Sequence, residues 1–254
     1  MTTNQTILVV DVGNTSTVLG LYRKQKIVQS LRICSSSNRA GMGSALTALK
    51  SSCSVHGAVL CSVVPEKDVR WTRCIETNLK ISPLHVHHAL NVGVPISYPK
   101  PKTIGQDRLA NVCGAVHRYG TPVVVADFGT ALTFDIISRY KGYVGGIIAP
   151  GLPLMFSYLP DKTSLLPEIK PGPIKHAIGK STEEAMRLGT RYGYRGMVRE
   201  IVQHIKKNLG KKPFTFCATG GYASWVLRGI GAPLKYDSDL TLYGLGKLFE
   251  LNVS

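Results

Sequence analysis

Ile7-Leu-Val-Val-Asp11-Val-Gly13-Asn-Thr15, near the start of the chain, and Val123-Val-Val-Ala-Asp127-Phe-Gly129-Thr-Ala131, near its middle, share one pattern. Each is an apolar run of strand length that ends in Asp-x-Gly, as a buried strand entering a tight turn does. One Asp-x-Gly after a strand is usually just a turn. A second copy with the same sequel points to an internal duplication. After the first copy, Val18 to Tyr22, a polar turn at Arg23 to Lys26, and Ile27 to Ile33 read as a hairpin. After the second, Leu132 to Ile137, the turn Ser138 to Gly142, and Tyr143 to Ile148 read the same way. Each half thus opens as a three-strand meander.

Helical spacing follows in both halves. Leu109, Val112, Cys113 and Val116 fall on one face, as do Met197, Val198, Ile201, Val202 and Ile205. Ser181 and Glu184 have the spacing of a capping box before a helix at Ala185 to Leu188. Further strands are predicted at Gly57 to Val64 and Phe214 to Ala218, and a closing helix from Leu240. The predicted class is α/β in two similar halves, 1–120 and 121–254. The Pro-rich stretches 95–101 and 167–173 are short enough for ordered loops.

At 254 residues and 44% hydrophobic content the chain can bury a substantial core. Its six cysteines (Cys34, Cys53, Cys61, Cys74, Cys113, Cys217) form no C-x-x-C pair, which favours a reducing compartment and no structural zinc. His85, His87 and His88 have no carboxylate or cysteine at metal spacing, so they read as a strand and its exit loop. The first apolar run is broken by Asp11 and is not a signal peptide. No stretch approaches the roughly 20 apolar residues of a membrane span, so the expected location is cytoplasmic, with no membrane partner. The net charge of +16 raises the local concentration of anions, but chooses no partner among nucleotides, acidic metabolites and nucleic acid. The basic residues are dispersed, densest at Lys206-Lys207, Lys211-Lys212 and Arg187 to Arg199, with no arginine-rich tail. A solvated basic surface accounts for that distribution at least as well as a nucleic-acid footprint does.

Neither G-x-x-x-x-G-K-[ST] nor a strand-to-helix G-x-G-x-x-G is present, so the common phosphate loops are missing. In Asp11-Val12-Gly13-Asn14-Thr15 a strand-end carboxylate precedes a glycine turn that offers backbone N–H groups to an anion. Asp11 can hold Mg²⁺ through oxygen while the turn amides and Thr15 meet phosphates. The paired copies make this more than a turn.

Two such turns are the mark of the actin-like ATPase superfold, which includes sugar kinases and acetate kinase. The resemblance then narrows. Asp11-Val-Gly-Asn-Thr-Ser16-Thr17-Val18, Ser62-Val-Val-Pro65, Pro95-Ile-Ser-Tyr98, Gly105-Gln106-Asp107-Arg108, Asp127-Phe-Gly-Thr130-Ala131, Gly145-Gly-Ile-Ile-Ala-Pro-Gly151, Ser181-Thr182-Glu-Glu-Ala185 and Ala218-Thr-Gly-Gly221 resemble, in order, the signature of type III pantothenate kinase. The resemblance implies duplicated ribonuclease-H-like halves with mixed sheets, helices on their faces and an ATP cleft between them. It also implies phosphorylation of pantothenate to 4′-phosphopantothenate, the first step of coenzyme A biosynthesis, with ATP, Mg²⁺ and a monovalent cation, K⁺ or NH₄⁺.

Residue by residue, the resemblance makes Asp107 the base and gives Tyr98, Gly105, Gln106, Asp107, Arg108 and Thr182 to the acceptor, Arg108 meeting its carboxylate or amides. Nucleotide contacts fall to Asp11, Val12, Gly13, Asn14, Thr15, Ser16, Thr17, Val18 and Thr130, with Mg²⁺ near Asp11 and the monovalent cation at Asp127. Ala218 to Gly221 would let backbone approach the adenosine. A homodimer is typical of the family. The chain departs from the family pattern at Cys34 to Gly43 and at Pro99 to Lys102. Two rival functions are a regulatory or transcription accessory protein on the same fold, and a kinase for another small acid or sugar.

Overall fold

A computed structural model describes residues 5–50, 54–209, 213–231 and 234–253. Cys53, Lys211 and Lys212 lie outside the described residues. Both Asp-x-Gly runs are strands, β1 (Ile7–Val12) and β6 (Val123–Phe128). Each leads into its expected hairpin, β2 (Ser16–Arg23) with β3 (Lys26–Cys34), and β7 (Ala131–Ser138) with β8 (Gly142–Pro150). With β4 (Gly57–Ser62), β5 (Leu84–His85), β9 (Thr215–Thr219) and β10 (Lys235–Tyr236), they build two five-stranded sheets, β3-β2-β1-β4-β5 and β10-β9-β6-β7-β8. The duplicated runs are therefore the middle strands.

In the first sheet β1 runs antiparallel to β2 and parallel to β4, and the register sets Asp11 beside Val18 on one side and Cys61 on the other. Ile7 to Val10 are at most 3% exposed, as a strand covered on both faces requires. Edge strand β3 instead alternates between exposed and half-buried residues. His85 falls in β5 and His87 and His88 in the segment after it.

Among the described residues seven α-helices accompany the sheets: α1 (Arg39–Lys50), α2 (Pro65–Leu79), α3 (Gln106–Tyr119), α4 (Leu152–Lys162), α5 (Thr182–Leu209), α6 (Ala223–Leu227) and α7 (Leu240–Asn252). Met42, Ala45, Leu46 and Leu49 of α1 join Trp71, Cys74 and Ile75 of α2 in one core with the first sheet. The atypical segment from Cys34 thus runs into a helix that covers the sheet. α2 starts with Pro65 in its first turn, where no N–H is needed. The two helical patterns expected around Ala185 and Met197 are one continuous 28-residue helix, α5. Among the described residues no helix is long and apolar enough to cross a membrane.

Spatially the chain divides into one unit of Met1–Val125, Asp135–Gly145 and Asp239–Ser254, and another of Ala126–Phe134 and Gly146–Ser238. These units follow packing; the halves 1–120 and 121–254 remain our proposal for the duplicated element. In the first unit α7 packs on β1, β2, β4 and α3. Thr241 Oγ1 donates to the buried Asn111 Oδ1 of α3 at 2.7 Å, and Tyr22 Oη donates to Glu250 at 2.9 Å. Glycines make the α3–α7 crossing close. A Cβ on Gly114 would lie 2.6 Å from the Leu240 carbonyl oxygen, and one on Gly244 would run into the Ala110 carbonyl. Gly244→Ala is accordingly expected to destabilise the fold by about 1–3 kcal/mol through overpacking, seen as a lower urea midpoint at unchanged slope.

Candidate active site

The first turn is laced to the end of β3. Gly13 N donates to Ser16 O at 3.1 Å, Ser35 Oγ to Gly13 O at 2.5 Å and Ser35 N to Thr15 O at 3.1 Å. Thr17 Oγ1 shares a hydrogen bond with Ser35 Oγ at 3.1 Å, and Arg32 Nη1 donates to Ser16 Oγ at 2.6 Å. Val12 and Thr17 are buried, and Ser16 to Val18 belong to β2. Asn14 and Thr15 are the exposed members of the turn.

The second turn follows β6, with Gly129 N donating to Ala131 O at 3.1 Å. Phe128 O accepts from Tyr222 N at 3.1 Å. Gly220, at φ +94°, lies against this turn: a Cβ there would sit 2.5 Å from Asp127 Oδ1 and 2.6 Å from the Phe128 backbone. Both the positive φ and the close approach demand glycine. Gly221 has open space around its Cβ position. The Ala218 to Gly221 pattern thus has a packing reason at Gly220, against the Asp127 turn.

Asp107 stands in the first turn of α3, where the helix dipole favours an acid. Its Oδ1 accepts from Arg108 N at 2.8 Å. Burial pushes the carboxyl above its usual range, against the opposing pull of Arg108. Gly105 makes room for it, since a Cβ there would come 2.6 Å from Asp107 Oδ1. Gln106 Oε1 accepts from Ser62 N at 2.8 Å, tying the start of α3 to the end of β4. The buried Cys61 thiol is raised well above its ordinary value by burial and then by the charges of Asp11 and Asp107, so both carboxylates bear on one side chain.

The Arg108 side chain pairs with Asp135. Its Nε and Nη2 donate to Asp135 Oδ1 at 2.8 and 2.7 Å. Tyr143 Oη donates to the same oxygen at 3.0 Å. Burial lifts the Asp135 carboxyl to about 6 in spite of its cationic partner. For Arg108, burial is the largest influence and acts downward, but Asp135, Tyr143 and Asp107 together outweigh it and keep the guanidinium charged. The Tyr143 ring lies 6.0 Å from that of Tyr98. Tyr98 is held there because the 95–97 segment pairs with Tyr143, through Ser97 N to Tyr143 O and Tyr143 N to Pro95 O, each 2.9 Å.

Thr182, exposed, begins α5. The expected capping box is half present: Glu184 N donates to Ser181 Oγ at 3.2 Å. The Glu184 carboxylate instead gathers the amides of Lys175, His176 and Lys180 and the His176 ring. Led by the Lys180 amide, these donors hold it down at about 2.

A family model described as type III pantothenate kinase matches residues 7–204. The chain belongs to that family. It is 40% identical to a type III pantothenate kinase of Akkermansia muciniphila over 98% of this chain and 100% of that one. It is 38% identical to one of Methylacidiphilum infernorum over 96% and 88%. Among solved structures, a Campylobacter jejuni protein assigned to the Baf family of transcriptional activators matches 96% of this chain and 97% of its own at TM-score 0.59 and 18% identity. A Sinorhizobium meliloti protein assigned as a 2-dehydro-3-deoxygalactonokinase matches 96% and 98% at TM-score 0.57 and 13% identity. These two speak to the fold alone: duplicated, actin-like, with two mixed sheets and flanking helices.

In this type III pantothenate kinase chain, Tyr98, Gly105, Gln106, Asp107 and Arg108 meet in one cluster of the first unit, with Asp11 linked to it through Cys61. The sequence reading missed Asp135 and Tyr143, which hold the cluster together. An acid inside the apolar run Leu132 to Ile137 was the available signal, because a buried carboxylate needs partners. Gly105→Ala is expected to displace the Asp107 carboxylate. Turnover should fall by about 10²-fold for a shift on the order of 1 Å, while the far-ultraviolet circular dichroism stays that of the parent.

Proposed function

We propose that this chain phosphorylates pantothenate at its primary hydroxyl with the γ-phosphoryl of ATP, giving 4′-phosphopantothenate in the first step of coenzyme A biosynthesis. The observation that carries this, in a chain of that family, is the Asp107 carboxylate: half-buried, braced at a helix start and flanked by Arg108. Asp107 takes the hydroxyl proton as the alcohol oxygen attacks the γ-phosphorus and ADP leaves. A raised proton affinity suits a base for an alcohol better than an ordinary carboxylate would. Arg108 meets the acceptor's carboxylate or amides, with Tyr98 and the Gly105–Gln106 stretch beside it. Thr182 is a separate proposed acceptor contact.

For the nucleotide, the amides of residues 11–15 and the exposed Asn14 and Thr15 suit phosphates, with Ser16 to Val18 fixing the turn and Thr130 offering a hydroxyl. One strand-end carboxylate among amides and hydroxyls suits an ion that draws most of its ligands from nucleotide and water. We assign Asp11 to Mg²⁺ and Asp127 to K⁺ or NH₄⁺ on that ground. When bound, these ions supply positive charge against the phosphates. Among the described residues no two cysteines form a disulfide, which supports a cytoplasmic setting.

We also propose a homodimer through α5. Gly189, Gly193 and Gly196 have open space around their Cβ positions, with Tyr192 beside them 62% exposed. Each glycine costs a helix about 1 kcal/mol relative to alanine, a cost that close approach of a second helix offsets. Sedimentation should show twice the chain mass for the parent and a shift to monomer for Gly193→Glu; an unchanged mass would remove this face from the interface.

The kinase reading is tested by coupled ADP release with ATP, Mg²⁺ and K⁺ or NH₄⁺, with and without pantothenate. Pantothenate-dependent turnover that needs the monovalent cation is expected, and its absence under every cation sinks the reading. Asp107→Asn should lower kcat by about 10²–10⁴-fold, with KM for ATP nearly unchanged. Because the base acts ionised and its pKa is raised, kcat/KM should be level at high pH and fall as pH drops through a value above the usual carboxylate range. An acid limb at an unperturbed carboxylate value would refute that assignment.

A further inference from the structure

Asp135 is fully buried on β7, and Arg108 Nε, Arg108 Nη2 and Tyr143 Oη all converge on its Oδ1. Its Oδ2 is buried with no hydrogen-bond partner. Such an arrangement is poor value as a stabilising device. Desolvating an ion pair consumes most of its Coulombic gain, so apolar side chains of similar volume often serve as well. An unsatisfied acceptor adds to that cost. The arrangement makes sense as a means of aiming Arg108. A guanidinium offers donors along a planar fork, and here the Nε–Nη2 edge is committed to one oxygen. The plane is thereby fixed and Nη1 is left for another acceptor. Tyr143 donates to the same oxygen, drawing off part of its negative charge, and its ring lies 5.9 Å from the Arg108 guanidinium carbon and 6.0 Å from the ring of Tyr98. The open edge of Arg108 thus keeps cationic character beside an aromatic pair.

We propose that Asp135, assisted by Tyr143, is a positioning residue for acceptor recognition, holding the Arg108 guanidinium so that its Nη1 edge meets the acceptor's carboxylate. The inference rests on the kinase reading above and on Arg108 as the carboxylate contact. Asp135 touches neither substrate; it acts through Arg108.

The test compares kinetics on pantothenate and on its analogue with the carboxylate replaced by hydroxymethyl, for the parent, Asp135→Asn and Tyr143→Phe. Asp135→Asn should raise KM for pantothenate by about tenfold or more with kcat changed little, the pattern of lost uniform binding. Its KM for ATP and for the carboxylate-free analogue should stay within about twofold of the parent values. Tyr143→Phe removes one hydroxyl and keeps the ring, so it serves if Asp135→Asn fails to fold; a rise of about two- to fivefold in pantothenate KM alone is expected. Equal losses on both acceptors, or a pantothenate KM that is unchanged or lower, overturn the positioning role while leaving the kinase reading intact. A parent enzyme inert toward pantothenate overturns that reading and this inference with it.

Discussion

A strand covered on both faces has no lateral place for a polar side chain, and β1, β4 and β6 are such strands. β4 is buried along its whole length, while β1 and β6 are buried except at their aspartates. Polar chemistry in such sheets is pushed to the carboxyl ends of the central strands, where Asp11, Ser62 and Asp127 stand. The turns that follow must be tight, and each needs bracing. For the first turn the brace is Ser35 at the end of β3; for the second it is Gly220, pressed against Asp127 and Phe128. The bond from Ser62 to Gln106 then fixes where α3 begins, and so where Asp107 sits.

Carboxylates in this chain are managed by removing side-chain bulk as much as by adding partners. Gly105 and Gly220 each leave room that a methyl would deny to Asp107 and Asp127. Asp135 shows the opposite treatment, sealed among donors that all seek one oxygen. Asp107 and Asp135 both bind protons more tightly than free aspartate because burial dominates in each. Only Asp135 has a cation committed to it.

What could be read from the sequence was what is local. The Asp-x-Gly runs, their hairpins and the apolar faces of α3 and of Met197 to Ile205 in α5 announce themselves through period and turn chemistry, and the strands appeared as expected. Asp107 and Arg108 stood out only through a family motif, since an acid in the first turn of a helix is ordinary. Asp135 escaped because its partner lies 27 positions away, a pairing that only the folded sheet reveals. α1 carried a readable spacing in Met42, Ala45, Leu46 and Leu49, obscured by the serine- and glycine-rich stretch before it. Gly189, Gly193 and Gly196 sit inside α5 although intrinsic propensity counts against glycine in a helix, so their reason must lie in packing rather than in local sequence.

The last helix of the chain packs on the first strands. Since α7 covers β1, β2 and β4 and crosses α3 at Gly114 and Gly244, the first sheet cannot be closed by the residues nearest it in sequence. During synthesis the β1–β3 meander must wait, with apolar surface uncovered, until α7 has been made. Contacts of such separation slow folding and prolong the interval in which half-made sheets meet one another. The surplus of positive charge acquires a second use in that interval, as mutual repulsion between nascent chains.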